Sequence, residues 1–141
     1  INSLYKQAER PDWSDTSYYA SPERIGTVRT DLLEWYSPER KLDELKRWAT
    51  TGIRPNNIRG LMSDATKWLS YDDMYYGNDL ALRQFQQLQE NGLYVDRLTL
   101  TFDNDIGIGF FKGTTIPTKT RRARFLFDKL GNLLANYPIL K

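Results

Sequence analysis

The hydrophobic period of this chain changes before Leu98, and that change constrains the fold more than any other feature. Ile58, Leu61, Met62, Ala65, Trp68 and Leu69 recur at i, i+3, i+4, i+7, i+10 and i+11, one face of a 3.6-residue helix. From Leu98 onward the period becomes two: Leu98, Leu100 and Phe102 alternate with Arg97, Thr99 and Thr101. Helical spacing before the switch and alternation after it predict an α+β chain, mainly α.

Turn and cap residues divide the helical part. The tetrapeptide Ser-Pro-Glu-Arg occurs at 21–24 and again at 37–40. Each copy reads as a helix start, with a capping serine, proline at the first helical position and glutamate at the positive end of the dipole. Ile25, Val28, Leu32 and Tyr36 follow the first on one face. Leu42, Leu45, Trp48 and Ala49 follow the second, and Gly52 stops that helix. Pro55 opens the next helix, over 55–69. Residues 71–76 add a short turn before Gly77, and Asn78 caps a helix over 79–91. Asp103, Asn104 and Asp105 have turn chemistry, so 106–112 reads as the returning strand of a hairpin. Phe125, Leu126, Leu130, Leu133 and Leu134 mark the inner face of a final helix over about 120–135. The expected architecture is about five helices, one β-hairpin at 93–112 packed on them, and a C-terminal helix. All of 1–141 forms a single compact domain, with 1–20 as an N-terminal arm.

The 141 residues include no His and no Cys. That excludes Ser-His-Asp and Cys-His relays, thiolate nucleophiles, disulfides and Cys-ligated metals. Gly107-Ile108-Gly109-Phe110-Phe111-Lys112-Gly113 has the glycines of a phosphate loop but not its order, and glycines on a strand more often mark a bulge or close packing against a bulky neighbour. Asp103 and Asp105 lack the remaining ligands of a calcium loop. No catalytic residue, cofactor or metal is therefore assigned. No apolar run approaches a membrane span. A Cys-free chain suits the cytoplasm and equally a trimmed secreted chain, so the compartment stays open, as does the oligomeric state.

The net charge of +2 conceals a division. Residues 1–112 carry 14 basic and 17 acidic groups; residues 113–141 carry six basic and one acidic. Lys119, Arg121, Arg122 and Arg124 form the basic cluster, at the start of the expected last helix. There they oppose the helix dipole and face a phosphate or an acidic surface.

The stretch 55–112, a helix, a short helix, a longer helix and a hairpin, resembles a winged helix-turn-helix domain. The resemblance implies that Arg83, Gln84, Gln86 and Gln87 reach base edges while Arg97 or Lys112 touches phosphate. Asp72, Asp73 and Asp79 in the same stretch have the charge sign that opposes a phosphate backbone. Residues 48–78 are similar to the helical WY repeat of oomycete effectors, on Trp48, Gly52, Pro55, Ile58 and Met62 and then Trp68, Tyr71 and Tyr75. That family implies a non-enzymatic binder of host proteins.

The leading reading is a non-catalytic interaction or assembly module with a protein partner. It acts through an aromatic-rich helical surface, with Tyr18, Tyr19, Tyr75 and Tyr76 as contact anchors, and through the basic C-terminal helix. The alternative is a winged-helix-like nucleic-acid-binding domain using 55–112 and the cluster 119–124. A third is a carboxylate-dependent hydrolase, in which two acids distant in sequence converge in a cleft.

Overall fold

The computed structural model describes residues 35–141. The arm at 1–20, the first Ser-Pro-Glu-Arg start and Tyr18 and Tyr19 lie outside the described residues. Two helices are described over their whole length, α1 (Leu42–Thr51) and α2 (Tyr71–Glu90). Six strands accompany them: β1 (Ala65–Trp68), β2 (Arg97–Thr101), β3 (Gly107–Phe110), β4 (Thr118–Thr120), β5 (Arg122–Phe127) and β6 (Leu133–Ile139). They form two antiparallel sheets, ordered β1-β3-β4 and β2-β5-β6. The described fold is mostly β, which corrects the expectation of a mainly α chain with five helices.

Helix α1 follows the sequence closely. Leu45, Trp48 and Ala49 are buried on one face, and Gly52, at φ 77°, ends the helix by donating its N–H to the Trp48 carbonyl. The N-cap is Lys41; Ser37–Arg40 forms a separate turn closed by Arg40 N–H to Ser37 O.

The helix expected over 55–69 does not form. Pro55 opens a single 3₁₀ turn, Pro55–Asn57, and Asn56 and Asn57 adopt φ of 66° and 61°. Two consecutive left-handed residues cannot continue a right-handed helix. The apolar stripe that suggested the helix is not one buried face: Ile58 is 44% and Leu61 86% exposed, while Ala65 and Trp68 are fully buried. Ala65–Trp68 instead runs extended, pairing Ala65 with Phe110 and Trp68 with Gly107.

The break expected at Gly77 is also absent. Ser70 caps α2 by accepting the Asp73 N–H at 3.2 Å, and the helix runs through 71–90 without interruption. Gly77 is there for packing. A Cβ at that position would stand 2.8 Å from Phe125 Cζ and 3.2 Å from Phe102 Cζ. Asn78 does not cap; its side chain is buried and accepts from Asn136 Nδ2 at 2.6 Å.

The hairpin is displaced and longer than expected. β2 and β3 do not pair with each other. They follow one another along a chain whose partner is β4 and β5: Leu98 faces Phe125 and Ile108 faces Lys119. Phe102 N–H to Arg121 O and Ile106 N–H to Thr120 O carry the pairing across Asp103–Asp105, which interrupts a strand and does not turn it. The reversal lies at 111–117. With no hairpin at 93–112 and no helix at 55–69, the winged-helix and WY resemblances have no counterpart in the fold.

The C-terminal helix is likewise replaced by strands. Ala123, Phe125 and Phe127 point into the core while Arg122, Arg124 and Leu126 take the other face, a period of two. Leu130, which the helix would bury, projects from the turn Asp128–Asn132, where Gly131 has φ 84°. Of the basic cluster, Lys119, Arg122 and Arg124 therefore sit on strands and Arg121 on the bend between them.

The core lies between α2 and the sheet β2-β5-β6, around Trp68, Leu80, Phe85, Leu100, Phe125 and Leu133. α1 packs with Ala65 and Phe110 in a second cluster. Gly107 and Gly109 are explained by close approach: a Cβ at Gly107 would lie 2.4 Å from Pro138 Cβ, and one at Gly109 2.1 Å from Ala65 O. Among the described residues, no helix is long and apolar enough to cross a membrane.

Two predictions follow from this packing. Gly77→Ala forces a methyl against Phe125 and Phe102 and should destabilise the fold by about 1–3 kcal/mol, read as a lower midpoint in thermal melting. Asp79 is buried beside Arg83, 2.8 Å away, and its carboxyl is raised above the usual range, chiefly by burial and partly offset by Arg83. A carboxyl raised on folding costs nothing while it is protonated in both states, and it costs stability increasingly as pH rises from its unfolded value through its folded one. Asp79→Asn should therefore raise the melting temperature at neutral pH, and the gain should shrink as the pH is lowered into the acid range.

Candidate functional site

A cleft of about 550 Å³ opens where α1, the loop after it, β1, β5 and the end of β6 meet. Its size is that of a ligand or side-chain pocket, roughly 300–1,000 Å³. One wall is aromatic. Trp35 meets Trp48 edge to face at 5.8 Å, and Tyr36 tilts between Trp48 at 6.2 Å and Tyr137 at 5.3 Å. Burial raises the Tyr36 hydroxyl, and so does neighbouring Tyr137, against a smaller opposing pull from Arg54.

Arg54 is the fixed cation of the cleft. Its guanidinium lies 5.3 Å from the Trp35 ring centre and 5.6 Å from that of Trp48. The loop that carries it is tied at its base. Arg54 N–H donates to Ile58 O at 2.7 Å, Gly60 N–H to Gly52 O at 2.9 Å, and Ile53 bridges to Arg59. Gly60 leaves room for the guanidinium, since a Cβ there would come within 3.3 Å of Arg54 Nε. Across the loop from Arg54, Ile58, Leu61 and Met62 stand exposed.

Arg124 enters from the sheet. It sits on β5 opposite Thr99 of β2 and Tyr137 of β6, on the face away from the core. Lys141 adds a third cation to the lining, and Asp64 a carboxylate, which accepts the Lys112 backbone N–H at 2.7 Å. Three buried donors that line the cleft have no hydrogen-bond partner: Trp48 Nε1, Arg54 Nε and Arg124 Nε. Buried donors are nearly always satisfied. Three together, with cations exceeding carboxylates, leave the lining with unpaired donors.

No protein-family model matches this chain, and no curated protein does. A chain in the crystal structure of the CdiA-CT/CdiI complex from Y. kristensenii 33638 has the same fold. It superposes with a TM-score of 0.56 over 77% of this chain and 97% of that one, at 18% sequence identity. At that identity the likeness is one of architecture.

The residues singled out from the sequence are dispersed. Of the basic cluster, Arg124 lines the cleft. Lys119 and Arg121 are exposed, Arg121 standing 3.5 Å from Asp105, and Arg122 reaches the Lys141 carbonyl. Arg83 lies on α2 paired with Asp79, with Gln84 half-buried and Gln87 exposed one turn on. Arg97 is on β2 beside Asp96, 3.7 Å away. Lys112 stands at the hairpin turn, its backbone held by Asp64. Tyr75 stacks on Tyr71 at 6.1 Å, and Tyr76 is buried in the core. Among the described residues the cleft lining holds one carboxylate, Asp64, not the converging pair that a carboxylate hydrolase calls for. Trp35, Trp48 and Arg54 escaped the sequence reading as a site. They come together through a turn and a loop, and no local motif announces that meeting.

Proposed function

We propose that this chain is an interaction module that pairs with another protein through the face holding the cleft and the loop 52–62. The observation that carries the reading is the exposed apolar group Ile58, Leu61 and Met62 on a tied loop beside an aromatic, donor-rich cleft. Exposed apolar side chains on a rigid support, next to buried aromatic and arginine anchors, have the composition of an interface centre. The fold neighbour supports the reading, since it comes from a complex of two proteins. The aromatic surface in this proposal is the cleft wall and not a helix face, and the basic contribution comes from a strand.

A photo-crosslinker placed at position 58 should give a discrete protein adduct in extract from the source cell. Leu61→Asp and Met62→Asp should each reduce it by about tenfold or more. Leu130→Asp, as exposed as Leu61 but on the separate turn 128–132, should leave it unchanged. An adduct indifferent to Leu61 and Met62 would refute the assignment of this face.

Nucleic-acid binding is the second reading, favoured by Arg54 over Trp35 with Arg124 nearby in the same lining. Bases stack on aromatic rings and phosphates pair with arginine. This reading predicts that fluorescence anisotropy with a single-stranded oligonucleotide detects binding that weakens steeply with salt and drops by about tenfold in Arg54→Ala. Affinity unaffected by salt would rule it out.

A further inference from the structure

We infer that the protein partner is acidic and places a carboxylate side chain in the cleft, where the guanidinium groups of Arg54 and Arg124 supply its donors. This rests on the pairing reading above and names the chemistry of the partner. The charge of the lining carries it: Arg54, Arg124 and Lys141 against Asp64 alone. None of the ion pairs among the described residues uses Arg54 or Arg124. Arg54 is also held in place before any ligand arrives, clamped by two indole rings and by Gly60. A preorganised guanidinium loses little side-chain entropy on pairing, and a carboxylate is the acceptor its fork fits.

Two anionic chemistries suit such donors, a carboxylate and a phosphate. The loop that carries Arg54 decides between them. It also exposes Ile58, Leu61 and Met62, and these are groups a polypeptide covers and a sugar–phosphate backbone does not. Ser63 and Asp64, the residues that continue this loop into the lining, place a carboxylate at the same edge, which repels a run of phosphates more than it repels a single side-chain acid facing Arg54 and Arg124.

Trp35 and Trp48 report on the cleft by their fluorescence, so the intact chain can be titrated directly with a short oligoglutamate peptide, inorganic phosphate and a single-stranded RNA of matching charge. The peptide should perturb the tryptophan emission saturably, with affinity that falls as salt rises. Arg54→Lys keeps a charge without the fork, and Arg124→Gln removes a charge from a strand whose pairing is backbone-made. Each should weaken the peptide about tenfold with the melting temperature preserved. No saturable change with the peptide, or equal binding by both variants, would overturn the inference. So would phosphate binding as tightly as the peptide, which would make the cleft a simple anion site. RNA binding more tightly than the peptide, with the same losses in the variants, would overturn it in favour of nucleic acid. Pairing itself is read separately, from Leu61 and Met62, neither of which contributes to the donors titrated here.

Discussion

One buried polar relay joins the parts of this fold. Trp68 of β1 donates its indole N–H to Asn136 Oδ1 of β6 at 3.0 Å, and Asn136 donates its amide N–H to Asn78 Oδ1 of α2. All three residues are buried, Asn136 at 1% exposure. An amide that deep costs several kcal/mol unless both its ends are paired, and here both are. The relay links a strand from each sheet and the central helix, so any shift of β1 against β6 or of α2 along its axis leaves a buried donor or acceptor unmatched. Thr66 Oγ to Pro138 O repeats the tie two residues away on each strand. Apolar packing at this seam resists compression and separation. The relay resists sliding, which Leu and Phe side chains alone tolerate.

That seam also builds the cleft. β6 crosses close over β3 because Gly107 has no side chain beneath Pro138, and β1 lies against β3 because Gly109 has none beneath Ala65. With these contacts set, Thr66, Tyr137 and its cross-strand neighbour Arg124 come to the same lining. The relay and the glycines thus fix the sheets, and the sheets fix where Arg124 stands relative to α1, Trp48 and Arg54.

Some of this was legible in the sequence, and the successes share a cause. α1, its Gly52 stop and the alternation of Arg97–Phe102 were visible because short-range rules suffice for them: one buried face, one left-handed cap, a period of two. The reading of Gly107 and Gly109 as close packing was local in the same sense. The failures came where a helical period was matched by accident. Ile58, Leu61 and Met62 sit at helical spacing, yet two left-handed asparagines precede Ile58 and the three side chains face water. Gly77-Asn78 has the look of a helix stop and start. In the fold both residues are demanded by partners far along the chain, Phe125 and Asn136, and such partners are invisible to any window. The last segment misled for a further reason. Phe125, Leu126, Leu133 and Leu134 satisfy a loose helical stripe, while the stricter pattern, Ala123, Phe125 and Phe127 against Arg122, Arg124 and Leu126, is the one that packs.

The charge division along the chain takes on a different meaning in three dimensions. On a helix, the run from Lys119 to Arg124 would project a single basic end. On strands, the alternation parts its members: Arg121 meets Asp105, Arg122 and Arg124 share the face away from the core, and Arg124 reaches the aromatic wall. Arg54 comes to the same cleft from the part of the chain whose net charge is negative. A cationic site can therefore arise in a locally acidic region, provided that the rings of Trp35 and Trp48 hold one guanidinium and a strand delivers a second. Local charge density along the sequence misses such a site because neither arginine's effect depends on its sequence neighbours. Each depends on which acceptors are buried within reach, and in this cleft Trp48 Nε1, Arg54 Nε and Arg124 Nε have none among the described residues.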